Sequence, residues 1–216
     1  MYKTVIFDLD GTLLNTIEDL ANAGNYVCQL HGWPTFTVDQ YKKMVGNGIP
    51  KLVERFSPEF ARDPQQLKST LEAFLLRYSA FMQVCTAPYP GIPELLEQLK
   101  QAGVQIAVLS NKQDSLSRNV VSSYFPDCFD LVRGALPGIP SKPDPAGVYR
   151  MLKELSADPA STLFVGDSNV DILTAKNSGL DSCGVLWGFR DRQELEQAGA
   201  KHIAPDIQTL ADLILN

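Results

Sequence analysis

Two aspartates set two residues apart, Asp8 and Asp10, stand at the end of the short apolar run Thr4-Val5-Ile6-Phe7, with Gly11-Thr12 directly after them. In an open α/β sheet, ligands bind at the carboxyl ends of the strands. Two acidic groups there are costly unless something cationic sits between them, and a hard divalent ion is the obvious partner. The bland alternative is an acidic turn that caps a helix. A calcium loop is excluded, because counting from Asp8 puts Thr12, Leu13 and Asp19 where that pattern needs Asp or Asn, Gly and Glu. A second acidic group follows another apolar run: Gly166-Asp167-Ser168-Asn169-Val170-Asp171. Its four-residue spacing can put both carboxylates at the first turn of one helix, facing one site, the alternative being a helix-capping Asp with a solvated one. Ser110-Asn111 closes a third run, where serine either caps a helix or donates to a ligand. Lys142-Pro143-Asp144-Pro145 supplies a cation whose backbone is stiffened by the proline after it. Among polar strand ends, Lys142 becomes a counter-charge for carboxylates and phosphate.

Positioning these residues requires buried parallel strands. Thr4-Val5-Ile6-Phe7, Val104 to Leu109, Thr162 to Val165 and Cys183 to Trp187 are apolar runs of the kind found inside such sheets. Helical patterns lie between them. After Pro93, Leu95, Leu96, Leu99 and Ala102 recur at helical spacing, and Gly103 offers a left-handed end. Asp158-Pro159 offers another helix start. Residues 16–86 break the alternation with helical stretches alone. Thr37 to Gln40 and Asp63 to Gln66 have capping-box spacing, and Leu67, Leu71, Phe74, Leu75, Tyr78 and Phe81 mark a packed helix face. Pro88-Tyr89-Pro90-Gly91 forms a stiff linker. The expectation is an α/β doubly wound, Rossmann-like parallel sheet core, residues 1–15 and 87–216, with an inserted all-α helical domain at 16–86.

The whole-chain quantities agree with that plan. With 216 residues, 44% hydrophobic and 20% charged, the composition is that of a globular protein. A net charge of −6 argues against a broad nucleic-acid or anionic-membrane surface. The four cysteines, at 28, 85, 128 and 183, form no metal-ligand spacing and read as scattered buried thiols. No apolar run approaches a membrane span, and the first residues contain two carboxylates where a signal peptide needs an apolar stretch. A cytoplasmic location is expected, with no nucleic-acid or membrane partner.

Asp8-Leu9-Asp10-Gly11-Thr12, Ser110, Lys142-Pro143 and Gly166-Asp167 through Asp171, in this order, resemble the four motifs of haloacid dehalogenase-superfamily phosphatases. The resemblance spans the chain, and the helical insertion is similar to that superfamily's first class of cap. Val45-Gly46-Asn47-Gly48 and Trp187-Gly188-Phe189-Arg190 resemble segments of its phosphoglycolate phosphatases. One departure is Asn15-Thr16, where relatives often carry Asp or Ser followed by Ser, which bears on contacts at the cap hinge.

The resemblance implies a chemistry. Asp8 would attack phosphorus and form an aspartyl-phosphate, with Asp10 as general acid and then base. Mg²⁺ would be held by Asp8, the main-chain carbonyl of Asp10 and Asp167. Asp171 would be an outer-shell partner of the metal site or the orienter of Lys142, the former being preferred. Ser110 and backbone N–H groups near Leu9, Asp10 and Asn111 would bind the phosphoryl group, and Lys142 would neutralise it. The second Asp, lacking in dehalogenases of this superfamily, implies phosphoryl transfer. The substrate implied is a small phosphorylated metabolite, best 2-phosphoglycolate, handled by a monomer or homodimer. Lys42, Lys43, Lys51 and Arg55 are cationic candidates for a substrate carboxylate, and Gly46 and Gly48 could allow close backbone approach or simply turn the chain. A hexose phosphomutase is disfavoured by Gly166, where such mutases often carry an acid. A phosphonatase with a cap lysine and a catalytically silent binding module complete the alternatives.

Overall fold

The computed structural model describes residues 1–216. In chain order its elements are β1 (Thr4–Phe7), β2 (Leu14–Asn15), α1 (Ile17–Leu30), α2 (Val38–Met44), α3 (Ile49–Phe56), α4 (Pro64–Phe81), β3 (Ala87–Pro88), α5 (Ile92–Gln101), β4 (Gln105–Gln113), α6 (Asp114–Tyr124), β5 (Leu131–Ala135), α7 (Ala146–Leu155), β6 (Thr162–Gly166), α8 (Asn169–Ser178), β7 (Asp181–Val185), α9 (Arg192–Ala198), β8 (His202–Ala204) and α10 (Ile207–Leu215). By internal packing the residues fall into two compact units: Met1–Leu14 with Pro88–Asn216, and Asn15–Ala87. No helix is long and apolar enough to cross a membrane.

The first unit is built on a six-stranded sheet in the order β5-β4-β1-β6-β7-β8. Every strand pair in it is parallel. β1 sits in the middle, and all four of its residues are buried, which is why it reads as a continuous β-branched and aromatic run. The chain winds outward from β1 through β4 to β5, then returns to β6 on the other side of β1. That reversal makes the β1/β6 junction the topological switch point, where an open sheet parts its loops and leaves a crevice. Below it, Ile6, Ala107, Leu109 and Phe164 pack against Val148, Met151 and Leu152 of α7 and Ala175 of α8.

Several elements depart from the sequence expectation. The strand expected to end at Leu109 runs on to Gln113, carrying Ser110, Asn111 and Lys112 within it, with an irregular register against β5 after Leu109. β5 and β8 were not legible: β5 carries Arg133 and Gly134 and is only partly buried at the sheet edge, and β8 has three residues. β7 starts at Asp181 and stops at Val185, so Leu186 and Trp187 lie beyond it. Asp158-Pro159 opens only a single 3₁₀ turn, Pro159–Ser161. Of the four free cysteines, Cys28 and Cys183 are buried, whereas Cys85 is exposed and Cys128 only half-buried.

In the second unit, α1 packs against α2, α3 and α4. Thr37 forms a reciprocal capping box with Gln40 at the start of α2. Asp63 caps α4 by accepting from the N–H groups of Gln65 and Gln66, but the Gln66 side chain turns to Thr70 rather than back to the cap. The core is an aromatic chain, Tyr41, Phe56, Phe74 and Tyr78, with successive ring centroids 6.4, 6.0 and 5.6 Å apart. Phe81, expected on the packed face, is exposed and lies under the Arg77 guanidinium. Gly24 lets α1 approach Tyr41, since a Cβ there would sit 2.3 Å from the tyrosine hydroxyl. Buried Asp19 accepts from the N–H groups of Cys85 and Thr86 and from the Thr86 hydroxyl, tying the returning chain to α1.

Candidate active site

The site residues lie in the sheet-bearing unit, above the carboxyl ends of β1, β4 and β6. The Asp8 N–H donates to the Val165 carbonyl at 2.8 Å, so the β1 ladder continues one residue past Phe7 and holds the Asp8 main chain in line. The chain then turns sharply: Leu9 O accepts from Leu13 N and Leu14 N at 3.0 Å, and Gly11 takes φ +94°. Glycine is needed there twice over. Its φ lies in the left-handed region, and a Cβ would fall 2.3 Å from Asp167 Oδ2.

Asp8, Asp167 and Asp171 are all buried, and one carboxylate oxygen from each lies within 4.8 Å of the others. Between them stands Lys142. Its Nζ donates to Asp8 Oδ1 and to Asp171 Oδ1, both at 2.6 Å. Asp171 is only 1% exposed, and its other oxygen accepts from the N–H and hydroxyl of Ser168, completing the capping box that starts α8. Asp171 thus touches Lys142 directly and lies in the same carboxylate cluster as Asp8 and Asp167, a placement that suits both roles expected of it. Asp167 accepts from Phe189 N at 2.7 Å. The Trp187-Gly188-Phe189 turn that provides this donor is itself locked in place. Trp187 Nε1 donates to Thr12 O at 2.9 Å, and a Cβ on Gly188 would sit 2.3 Å from Asp167 Cβ. Gly166 is equally confined: a Cβ there would sit 2.2 Å from Asp171 Cβ.

Electrostatics distinguishes these groups. Burial, opposed by Lys142 and reinforced by Asp171, pushes the Asp8 carboxyl up to about 7. Burial also raises Asp167 well above the ordinary carboxylate range, and the neighbouring charges of Asp171 and Asp8 add to it. Burial works against the charge of Lys142, yet Asp171 and Asp8 together outweigh it and hold the ammonium firmly protonated. The one buried ammonium is bonded to two of the three buried carboxylates, Asp8 and Asp171, so the cluster holds more acidic groups than cationic partners. Oxygen donors in that number and charge suit a hard divalent cation such as Mg²⁺, so the donor set fits the ion the resemblance implies.

The end of β4 forms the other wall. Ser110 is buried, and its Oγ accepts from Lys112 N at 3.1 Å. The Asn111 side chain turns to Lys142: Oδ1 accepts from Lys142 N at 2.9 Å and Nδ2 donates to Lys142 O at 3.0 Å. Lys112, which sequence reasoning passed over, is 5% exposed and its Nζ lies 3.0 Å from Asp10 Oδ1. Asp10 is therefore turned toward a lysine of its own rather than into the cluster of three carboxylates. Its place two residues after Ser110 becomes informative only once β4 is seen to run on to Gln113, which puts both buried side chains on one face.

In the helical unit the four cationic candidates are accounted for differently. Lys42 pairs with Asp39 and Lys51 with Glu54, Lys43 is exposed, and Arg55 donates to Met44 O and to Asn47 Oδ1. Arg55 thus braces the Gly46-Asn47-Gly48 turn between α2 and α3, in which both glycines take positive φ.

The chain is similar to known proteins over nearly its whole length. The phosphoglycolate phosphatase of Psychrobacter arcticus is 30% identical over 220 residues, 99% of this chain and 96% of its own length. That of Aquifex aeolicus is 33% identical over 192 residues, 87% of this chain and 86% of its own. A crystal structure from Lactobacillus delbrueckii subsp. bulgaricus, provisionally named a phosphoglycolate phosphatase, matches with a TM-score of 0.94 and 34% identity, covering 100% of this chain and 99% of that one. The family model for haloacid dehalogenase-like hydrolases matches residues 5–185, a span that contains every carboxylate and lysine of the site just described. The chain belongs to the haloacid dehalogenase-like hydrolase family.

Proposed function

We propose that this protein is a Mg²⁺-dependent phosphomonoester hydrolase acting through an aspartyl-phosphate on Asp8, with 2-phosphoglycolate as its substrate. The observation that carries the reading is the buried Asp8–Lys142–Asp171 arrangement at the switch point, 2.6 Å on each side of the ammonium. A carboxylate held this way keeps one face toward the crevice while the lysine neutralises the charge that phosphate brings. Phosphoryl transfer needs little beyond such positioning and charge stabilisation.

In the first step an Asp8 oxygen bonds to phosphorus as the ester oxygen leaves, and Asp10 gives that oxygen its proton. In the second, Asp10 takes a proton from water, the water oxygen bonds to phosphorus, and the acyl-phosphate bond breaks to return Asp8. Ser110 and the N–H groups of Leu9, Asp10 and Asn111 donate to the phosphoryl oxygens. Asp8, the main-chain carbonyl of Asp10 and Asp167 would hold Mg²⁺, and Asp171 would support that set. Such an ion would supply charge compensation for the carboxylates and the incoming phosphate. Lys112 would hold the Asp10 side chain in place through its 3.0 Å contact.

Asn15–Ala87 serves as the cap that selects the substrate and excludes water. The choice of 2-phosphoglycolate rests on the names of the relatives above. A hydrolase rather than a mutase is supported by Gly166, where no acidic side chain fits against Asp171. Purified protein with Mg²⁺ is expected to hydrolyse p-nitrophenyl phosphate, and Asp8→Asn to abolish turnover. Across a panel of phosphomonoesters, 2-phosphoglycolate should rank first in kcat/KM. A sugar phosphate or nucleotide ranking first would overturn the substrate, and an active Asp8→Asn variant the mechanism.

A further inference from the structure

We infer that the Asn111 side chain is a positioning residue for Lys142, acting on catalysis through the lysine and not by touching the phosphoryl group. The inference rests on the reading of Lys142 given above. Lys142 must bridge two buried carboxylates with a long, flexible stem, so the location of its main chain decides whether Nζ reaches both. That main chain lies between β5 and α7, outside any strand of the sheet. The Asn111 amide replaces the missing ladder. Its Oδ1 accepts the Lys142 N–H at 2.9 Å and its Nδ2 donates to the Lys142 carbonyl at 3.0 Å, so one side chain engages both main-chain groups of one residue.

The next residue is held too, from the far side. Asn177 Nδ2, on α8, donates to Pro143 O at 2.8 Å. α8 also carries Asp171, so the loop is tied to the strand that bears Ser110 and to the helix that bears the second carboxylate. A carboxylate cannot take over the role of this amide. In an Asn111→Asp variant one oxygen would still accept from the Lys142 N–H, but the other would face the Lys142 carbonyl with no proton to offer.

A misplacement of about 1 Å near a reacting centre costs roughly 10²-fold in rate. Asn111→Ala and Asn111→Asp are therefore expected to lower kcat by about 10- to 100-fold, with KM changed far less. Far-ultraviolet circular dichroism and a melting curve confirm that each variant is folded, and Asn111→Asp preserves side-chain volume if the alanine variant is not. The deciding measurement is the double-mutant cycle with Lys142→Ala, on p-nitrophenyl phosphate and Mg²⁺. If Asn111 acts through the lysine, adding Asn111→Ala to Lys142→Ala changes kcat less than about twofold, because the cycle is strongly non-additive. Additive losses, or an Asn111→Ala enzyme with wild-type kcat, would overturn the inference. A Lys142→Ala enzyme with wild-type kcat would instead overturn the reading of Lys142, a separate and distinguishable failure.

Discussion

Asp8→Asn should stabilise the metal-free protein while removing its activity. Asp8 is buried beside two other carboxylates, and its carboxyl titrates near 7 instead of the ordinary 3.8. An acid whose value is raised in the folded state binds more protons there than in the unfolded chain. Its contribution to stability is therefore complete below about 3.8, is lost as the pH rises toward 7, and stays lost above. Fully ionised, Asp8 costs roughly 4 kcal/mol relative to its neutral form, at about 1.4 kcal/mol per pH unit. Asparagine mimics the neutral carboxyl. In EDTA at pH 8 the variant should gain up to that amount, and the advantage should be about 2 kcal/mol smaller at pH 5.5. For a chain of this size, each kcal/mol moves the melting temperature by about 2–4 °C. Urea or thermal unfolding of both proteins at the two pH values measures it. A variant less stable than wild type at pH 8, or a gap that does not change with pH, would refute the reasoning that the site stores uncompensated negative charge.

Three further outcomes follow from the same geometry. Mg²⁺ should raise the melting temperature of the wild-type protein more at pH 8 than at pH 5.5, since it neutralises carboxylates that are partly protonated at the lower value; thermal shift with and without the ion reads this directly. Gly188→Ala should lower Mg²⁺ affinity and kcat together, because its Cβ would displace Asp167 or the Gly11 carbonyl, from which it would be 2.4 Å away; calorimetric titration with Mg²⁺ tests the first effect and steady-state kinetics the second. Asp19→Ala should destabilise the Asn15–Ala87 unit by about 2–4 kcal/mol, since it leaves the buried donors of Cys85 and Thr86 without their acceptor; urea denaturation followed by tryptophan fluorescence checks it.

The residues brought together at the switch point were legible because the polar ends of buried strands interrupt apolar runs, and such interruptions stand out in a sequence. Asp8, Ser110 and Asp167 sit where an apolar run stops, Lys142 in the loop before α7 and Asp171 in the first turn of α8. The central strands β1 and β6 were legible for the same reason, being buried on both faces. What stayed hidden depended on long-range partners. Nothing local separates Lys112 from a solvated lysine; only its register on β4, which extends four residues past the apolar run, aims it at Asp10. The pairing of Asn111 with Lys142 joins residues 31 apart that only the crossover through β5 brings together. Gly188 reads as one more turn glycine until Asp167 is found against it. β5 and β8 escaped because a sheet edge needs fewer apolar residues than its centre, and strands of five and three residues give periodicity little to work with.

The central claim is that Asp8 becomes phosphorylated. Acid-quenching the enzyme during turnover with Mg²⁺ and substrate, followed by peptide mass spectrometry, addresses it most directly. A phosphoryl group on the peptide carrying Asp8, labile to hydroxylamine and missing in Asp8→Asn, is the expected result. Turnover at full rate with no phosphoryl group on Asp8 at any quench time, together with an active Asp8→Asn enzyme, would contradict the account.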